Sequence, residues 1–205
     1  MRRRPLATAA ATLSALTALT ACNGSPEAGQ PNTTPTTTSA TPKSSPTPTA
    51  PSTPTWSPEQ QTAITAAKAR YVTARAGVEA ALSQPTKATS TTLAASGNGG
   101  AWARSVGEEI NFRVENGWYQ TGAAKVVAMT VRSVNLKLEQ PEVRLTSCID
   151  SAGVVLRYQT NGEPIPVEGD NGDRHQFQSR LVFAPGAGTG AKTWILVDEK
   201  DGGTC

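Results

Sequence analysis

Between Asn23 and Ser57 the chain holds almost nothing that can enter a hydrophobic core. Of these 35 residues eight are proline, ten threonine and six serine; only Glu27 and Lys43 are charged, and the one large apolar side chain, Trp56, stands at the far end. Such a segment buries too little apolar surface to offset the entropy of ordering it, so it is expected to stay disordered. Its prolines bias it toward polyproline II at roughly 3.1 Å per residue, a reach on the order of 100 Å. The Thr-Pro pattern would also suit O-glycosylation. Folding is therefore left to the 148 residues from Pro58 to Cys205, a length typical of one domain with a real core.

The start of the chain has a different character. Arg2, Arg3 and Arg4 precede an uncharged, Ala- and Thr-rich stretch from Pro5 to Ala21, which closes on Leu19-Thr20-Ala21-Cys22. That order resembles a bacterial lipoprotein signal peptide, spanning residues 1–21. The resemblance implies that Cys22 receives a diacylglyceryl group and becomes the first residue of the mature protein. The stretch is too poor in Leu, Ile, Val and Phe for a permanent membrane helix, whereas two acyl chains anchor stably where one is marginal. The expected location is the extracytoplasmic face of the cell membrane, with residues 22–57 as lipidated cysteine and stalk.

Removing the signal also removes the net charge. The chain has 19 Lys+Arg and 16 Asp+Glu, and three of the arginines lie in residues 1–21, which leaves 16 against 16. A neutral mature protein shows no basic excess of the kind that favours nucleic acid.

The domain opens on a helix signal. Ser57 serves as N-cap, Pro58 sits at the first helical position and Gln60 completes a capping box. Ile64, Ala67, Tyr71, Ala74, Val78 and Leu82 then form one apolar stripe until Pro85 stops the helix. A Thr- and Ala-rich stretch forms a short helix, broken by Gly97-Asn98-Gly99-Gly100. Trp102, Val106, Ile110 and Val114 mark a further helix that ends at Asn116-Gly117.

After Gly122 the period changes to that of strands. Val127, Met129 and Val131 alternate, and the apolar set resumes at Val134, Leu136 and Leu138 with opposite parity, which predicts a bulge or bend near Arg132-Ser133. Further strands are expected over Glu142–Asp150, Val154–Thr160, Arg174–Phe183 and Lys192–Asp198. Helices followed by hairpin-linked strands indicate an α+β domain with an antiparallel sheet.

With Cys22 given to lipid, Cys148 and Cys205 remain as a pair in an exported protein, which favours a disulfide. The rival reading makes Cys148 a catalytic thiol, with the single histidine, His175, as its base. No other chemistry has the residues it needs. The cluster at Gly97–Gly100 lacks the following Lys-Ser/Thr of a phosphate loop, and Gly186-Ala187-Gly188-Thr189-Gly190 joins two strands as a hairpin loop. A zinc site lacks ligands. Asp170-Asn171-Gly172-Asp173 lacks the downstream carboxylate of a calcium loop. No metal or cofactor is implied.

Three local sequences carry a broader resemblance: Gln120-Thr121-Gly122, the run Val143-Arg144-Leu145-Thr146-Ser147-Cys148-Ile149-Asp150, and Gly202-Gly203-Thr204-Cys205. With the order of helices and strands, residues 58–205 resemble the nuclear transport factor 2-like domain of a group of secreted actinobacterial lipoproteins. The resemblance implies a sheet curled round its helices into a cone, with a pocket inside. Some members of that superfamily are isomerases or dehydratases, using an Asp or His base and a Tyr or Asp donor. Tyr119, Asp150, Tyr158 and His175 are the pocket candidates here. Asp150 shares its strand face with Cys148, opposite Val143, Leu145 and Ile149, so it points away from the interior if the apolar set faces inward. The leading expectation is a non-catalytic envelope lipoprotein binding a protein partner or an apolar ligand. The alternatives are a small lyase or isomerase acting in the cone, and a component of a trans-envelope export or conjugation assembly, the last by fold analogy alone.

Overall fold

The computed structural model describes residues 55–166, 174–188 and 190–205, all within a compact unit spanning Ser52–Cys205. The expected signal peptide, Cys22, the expected stalk through residue 54 and the Asp170–Asp173 segment lie outside the described residues.

Helix α1 runs from Pro58 to Ser83 and starts as its caps dictate: Ser57 accepts from the Gln60 amide while the Gln60 side chain accepts from the Ser57 amide. A single 3₁₀ turn, Pro85–Lys87, follows. Helix α2 covers Ser90–Ser96 and is closed by Gly97 in the left-handed region. Helix α3 spans Gly100–Asn116 and is closed in the same way by Gly117.

Among the described residues six strands follow: β1 Trp118–Thr121, β2 Lys125–Asn135, β3 Glu142–Asp150, β4 Val155–Tyr158, β5 Arg174–Pro185 and β6 Lys192–Thr204. The main sheet is antiparallel in the order β2-β3-β5-β6, open at both ends, and β1 and β4 form a separate two-stranded ribbon. The fold is thus α+β, with helices packed on antiparallel sheets.

Two expectations need correction here. The strand expected over Val154–Thr160 is only Val155–Tyr158, and it pairs with β1 rather than joining the main sheet. Its partner β1 had no sequence counterpart, because four residues directly after a helix stop are too few to show a period. The ribbon departs where Gly122, at φ +74°, passes the Gly153 carbonyl so closely that a Cβ would run into it. Leu136 and Leu138 also lie beyond β2, which ends at Asn135.

The parity break in β2 falls where the apolar pattern places it, with a register shift between Val131 and Ser133; a second shift lies between Val126 and Ala128. Leu181 pairs with Leu196 but Arg180 pairs with Asp198, which makes Val197 an extra residue on β6. On β3, Val143, Leu145, Ser147 and Ile149 are buried, so the alternating face meets the helices. The core joins Ala67, Tyr71 and Ala74 of α1 to Val143, Leu145, Leu181, Trp194 and Leu196 of the sheet. A second cluster packs Val78 and Leu82 on Leu93, Val106 and Ile110. Cys148 and Cys205 form a disulfide, with Cα atoms 6.0 Å apart, which removes the free thiol that a catalytic Cys148 requires. Among the described residues no helix is long and apolar enough to cross a membrane.

Candidate functional site

Polar side chains meet at the interface of α1 with the sheet. Tyr71, Arg75 and Glu79 recur every four residues and so share one face of α1. The Tyr71 hydroxyl lies 2.7 Å from Ser147 Oγ and donates to Glu199 Oε1 at 2.7 Å. Ser179 Oγ donates to the same oxygen at 2.8 Å, and Arg75 Nη1 lies 2.7 Å from Glu199 Oε2. The Arg75 guanidinium sits 5.6 Å from the Trp102 ring centre and 5.5 Å from that of Phe177, a placement that stabilises a cation held away from water. Glu79 accepts from the Gln120 side chain and the Ala124 amide, and Gln120 in turn accepts from Arg113.

Burial pushes the Tyr71 phenol far above its ordinary range, and the negative charge of Glu199 adds to the shift. The phenol therefore stays protonated, and both Glu199 oxygens are engaged by neighbours. A donor and a carboxylate are brought together here, but they satisfy one another, which makes this a structural network at the heart of the interface. Sequence periodicity captures Tyr71 only as a member of an apolar stripe. Glu199 owes its inward position to the extra residue Val197, and no pattern in the sequence announces that.

A cavity of about 700 Å³ lies elsewhere, between α2–α3 and the β5–β6 hairpin. Val182 pairs with Ile195 and Ala184 with Thr193 along its floor. These residues alternate with Leu181, Phe183, Trp194 and Leu196, which turn toward α1. The helical wall carries Leu93, Ala103, Gly107 and Ile110; Asn111 and Gln140 supply polar edges, and among the described residues no charged side chain lines the cavity.

Its geometry is fixed by the link between α2 and α3. Gly99 donates to the Leu196 carbonyl and Leu196 donates to that of Gly97, both at 2.9 Å, so the link lies along the β6 edge as a strand would. Gly100, at φ +58°, comes so near Val197 that a Cβ would lie 2.8 Å from its carbonyl oxygen. The buried Asn98 side chain donates to the carbonyls of Ala74 and Leu93 and accepts from Trp102 Nε1, locking the link to α1 and α3. The residues that line the cavity are spread over α2, α3, β5 and β6, so no single periodic stretch reveals it in the sequence.

The four pocket candidates do not assemble into one site. Tyr119 and Tyr158 belong to the β1–β4 ribbon, where Tyr158 pairs with Trp118 and Tyr119 with Arg157. Asp150 accepts from the Ala152 amide and from Arg174 Nε, and these bonds hold its carboxyl below the usual range. His175 Nδ1 lies 3.3 Å from Asp201 Oδ2 on an exposed strand end. No hydrogen bond among the described residues joins any two of the four, and Asp150 shares its face with Cys148 rather than with the buried set. Among the described residues, no group of three or more His, Cys, Asp or Glu is placed to hold a metal ion.

No protein-family model matches the chain, and no curated protein matches it. Among solved structures, the crystal structure of the intermembrane space region of the chloroplast protein ARC6 is similar to it. The TM-score is 0.45 at 9% identity, over 74% of this chain and 100% of that one. A likeness of that degree assigns neither a family nor a function.

Proposed function

We propose that the chain is a membrane-anchored envelope lipoprotein whose stalked domain, of the nuclear transport factor 2-like kind, is a non-catalytic module binding an apolar ligand. The observation that carries this reading is the uncharged cavity between α2–α3 and the β5–β6 hairpin, which has the size and apolar lining of small-molecule sites. An occupant would exchange water for Leu93, Ile110, Val182 and Ile195 without desolvating any charge. The fold assignment is supported by the packing of the long helix α1 on one face of a bulged antiparallel sheet. Anchoring is supported by the Arg2–Arg4 start and the Leu19–Cys22 box.

Two measurements test the proposal. The full chain takes up a neutral apolar dye such as Nile red, and Gly107→Phe, which projects a ring into the cavity, abolishes uptake while Gly107→Ala preserves it. Uptake unchanged in Gly107→Phe sinks the assignment of the cavity. Separately, Cys22→Ala shifts the protein from the detergent phase to the aqueous phase on Triton X-114 partitioning; retention in the detergent phase refutes lipidation at Cys22.

A further inference from the structure

On the face of the sheet turned away from α1, positive charge is concentrated rather than dispersed. Arg132 of β2, Arg144 of β3, Arg180 of β5 and Lys200 of β6 line one concavity of about 400 Å³, together with Ser133 and Gln178. Arg144 and Arg180 are direct cross-strand partners, a placement in which like charges repel. Two carboxylates answer the four cations. Glu142 lies 2.6 Å from Arg144 Nε and 3.2 Å from Arg180 Nη1, and Asp198 lies 3.8 Å from Lys200 Nζ. Arg132 has no ion-pair or hydrogen-bond partner among the described residues. The concavity therefore keeps an excess of two positive charges in a mature chain that is neutral overall.

The backbone is shaped to produce this convergence. Regular alternation after the buried-side Val131 gives a single outward residue, but the register shift between Val131 and Ser133 leaves both Arg132 and Ser133 exposed beside Arg144. The extra residue Val197 on β6 does the equivalent work at the far side, leaving Asp198 opposite Arg180 and Lys200 opposite Gln178. Bulges of this kind recur where side chains must be re-aimed at a site. The guanidinium groups remain partly exposed, Arg144 at 56% and Arg180 at 39%, so donors not used by Glu142 are open to solvent.

We propose that this concavity is a binding site for a phosphate group, free or carried as a phosphate ester, gripped by the forks of Arg132, Arg144 and Arg180 with Lys200 adding charge. Arginine forks match the oxygen spacing of phosphate in two-point hydrogen bonds, and a bound dianion offsets the excess charge. The site shares no lining residue with the apolar cavity, which has no charged lining among the described residues.

The test is titration of the full chain with inorganic phosphate at low ionic strength, read by the arginine side-chain Nε–H resonances. A parallel arm measures sedimentation with phosphatidylcholine vesicles with and without phosphatidylglycerol, which separates free phosphate from a lipid headgroup as the source. Saturable shifts of Arg132, Arg144 and Arg180, about tenfold weaker binding in Arg144→Ala, and weakening with added chloride are expected. Glu142→Gln is expected to bind more tightly, because it removes the carboxylate that competes for the same two guanidiniums. Arg104→Ala, an exposed arginine on α3, is the neutral control. If phosphate fails to shift these resonances and phosphatidylglycerol fails to sediment the protein, the proposal is overturned. It is likewise overturned if all surface arginines respond alike, or if Arg104→Ala weakens binding as much as Arg144→Ala.

Discussion

Arg75 of α1 and Glu199 of β6, 124 residues apart in sequence, form an ion pair at 2.7 Å in which the glutamate side chain is fully buried. The pair joins the first helix of the domain to its last strand. Two aromatic rings and the Tyr71 and Ser179 hydroxyls complete its surroundings.

Breaking that pair from one side is expected to be costly. Arg75→Met leaves an uncompensated buried carboxylate and should lower unfolding stability by about 3–5 kcal/mol. Glu199→Gln turns one acceptor oxygen into a donor NH2, but the charge it strands is on Arg75, which is 13% exposed and flanked by two rings, so it should cost less. Urea denaturation midpoints of the two variants check the order; equal stability of Arg75→Met and the parent chain contradicts the structural role.

Tyr71 gives the network a pH signature. Its phenol pKa is raised by burial and by Glu199, whereas the unfolded chain titrates near its ordinary value of about 10. The contribution is therefore complete below about pH 10. Above that the unfolded state loses a proton that the folded state keeps, and stability falls by about 1.4 kcal/mol per pH unit. Denaturation curves between pH 9 and pH 11 should show this slope in the parent and lose it in Tyr71→Phe, which also lowers stability at neutral pH by about 1–2 kcal/mol.

The disulfide closes a loop with a sequence separation of 57. Chain entropy places its contribution at about 4 kcal/mol as an upper figure. The paired variant Cys148→Ser/Cys205→Ser should melt well below the parent, and reductant should lower the melting temperature of the parent but not of the variant.

Gly107 and Gly100 lie on one helix yet should respond oppositely to the same substitution. A Cβ at Gly107 meets nothing within 4 Å, so Gly107→Ala should stabilise the domain by up to about 1 kcal/mol through helix propensity. Gly100→Ala combines a positive φ with a contact against Val197 and should destabilise it. Thermal melts of the two variants compare them directly.

Legibility in the sequence follows the range of the interaction. The Ser57–Gln60 capping box, the Asn116-Gly117 stop and the parity break between Val131 and Val134 are written in neighbouring residues, and each corresponds to a feature of the fold. The Cys148–Cys205 bridge follows from counting. The β1–β4 ribbon escapes, because Val155–Tyr158 has the composition of a sheet strand and its partner Trp118–Thr121 is too short to show a period. The site is harder still. Leu93, Gly107, Val182 and Ile195 are unremarkable one by one, and their enclosure depends on the Gly97–Gly99 link lying along β6. Arg144 and Arg180 converge only through strand pairing.

The extra residue Val197 bears on how such a chain tolerates change in length. Trp194 and Leu196 before it and Glu199 after it all meet the helices, although Leu196 and Glu199 differ in parity. Deleting Val197 would leave Leu196 and Glu199 two positions apart, so regular alternation alone would hold both inward and keep Asp198 opposite Arg180. In the chain as it stands the bulge absorbs the odd residue and keeps Glu199 inside; a strand one residue shorter at this point would need no bulge to place the same side chains.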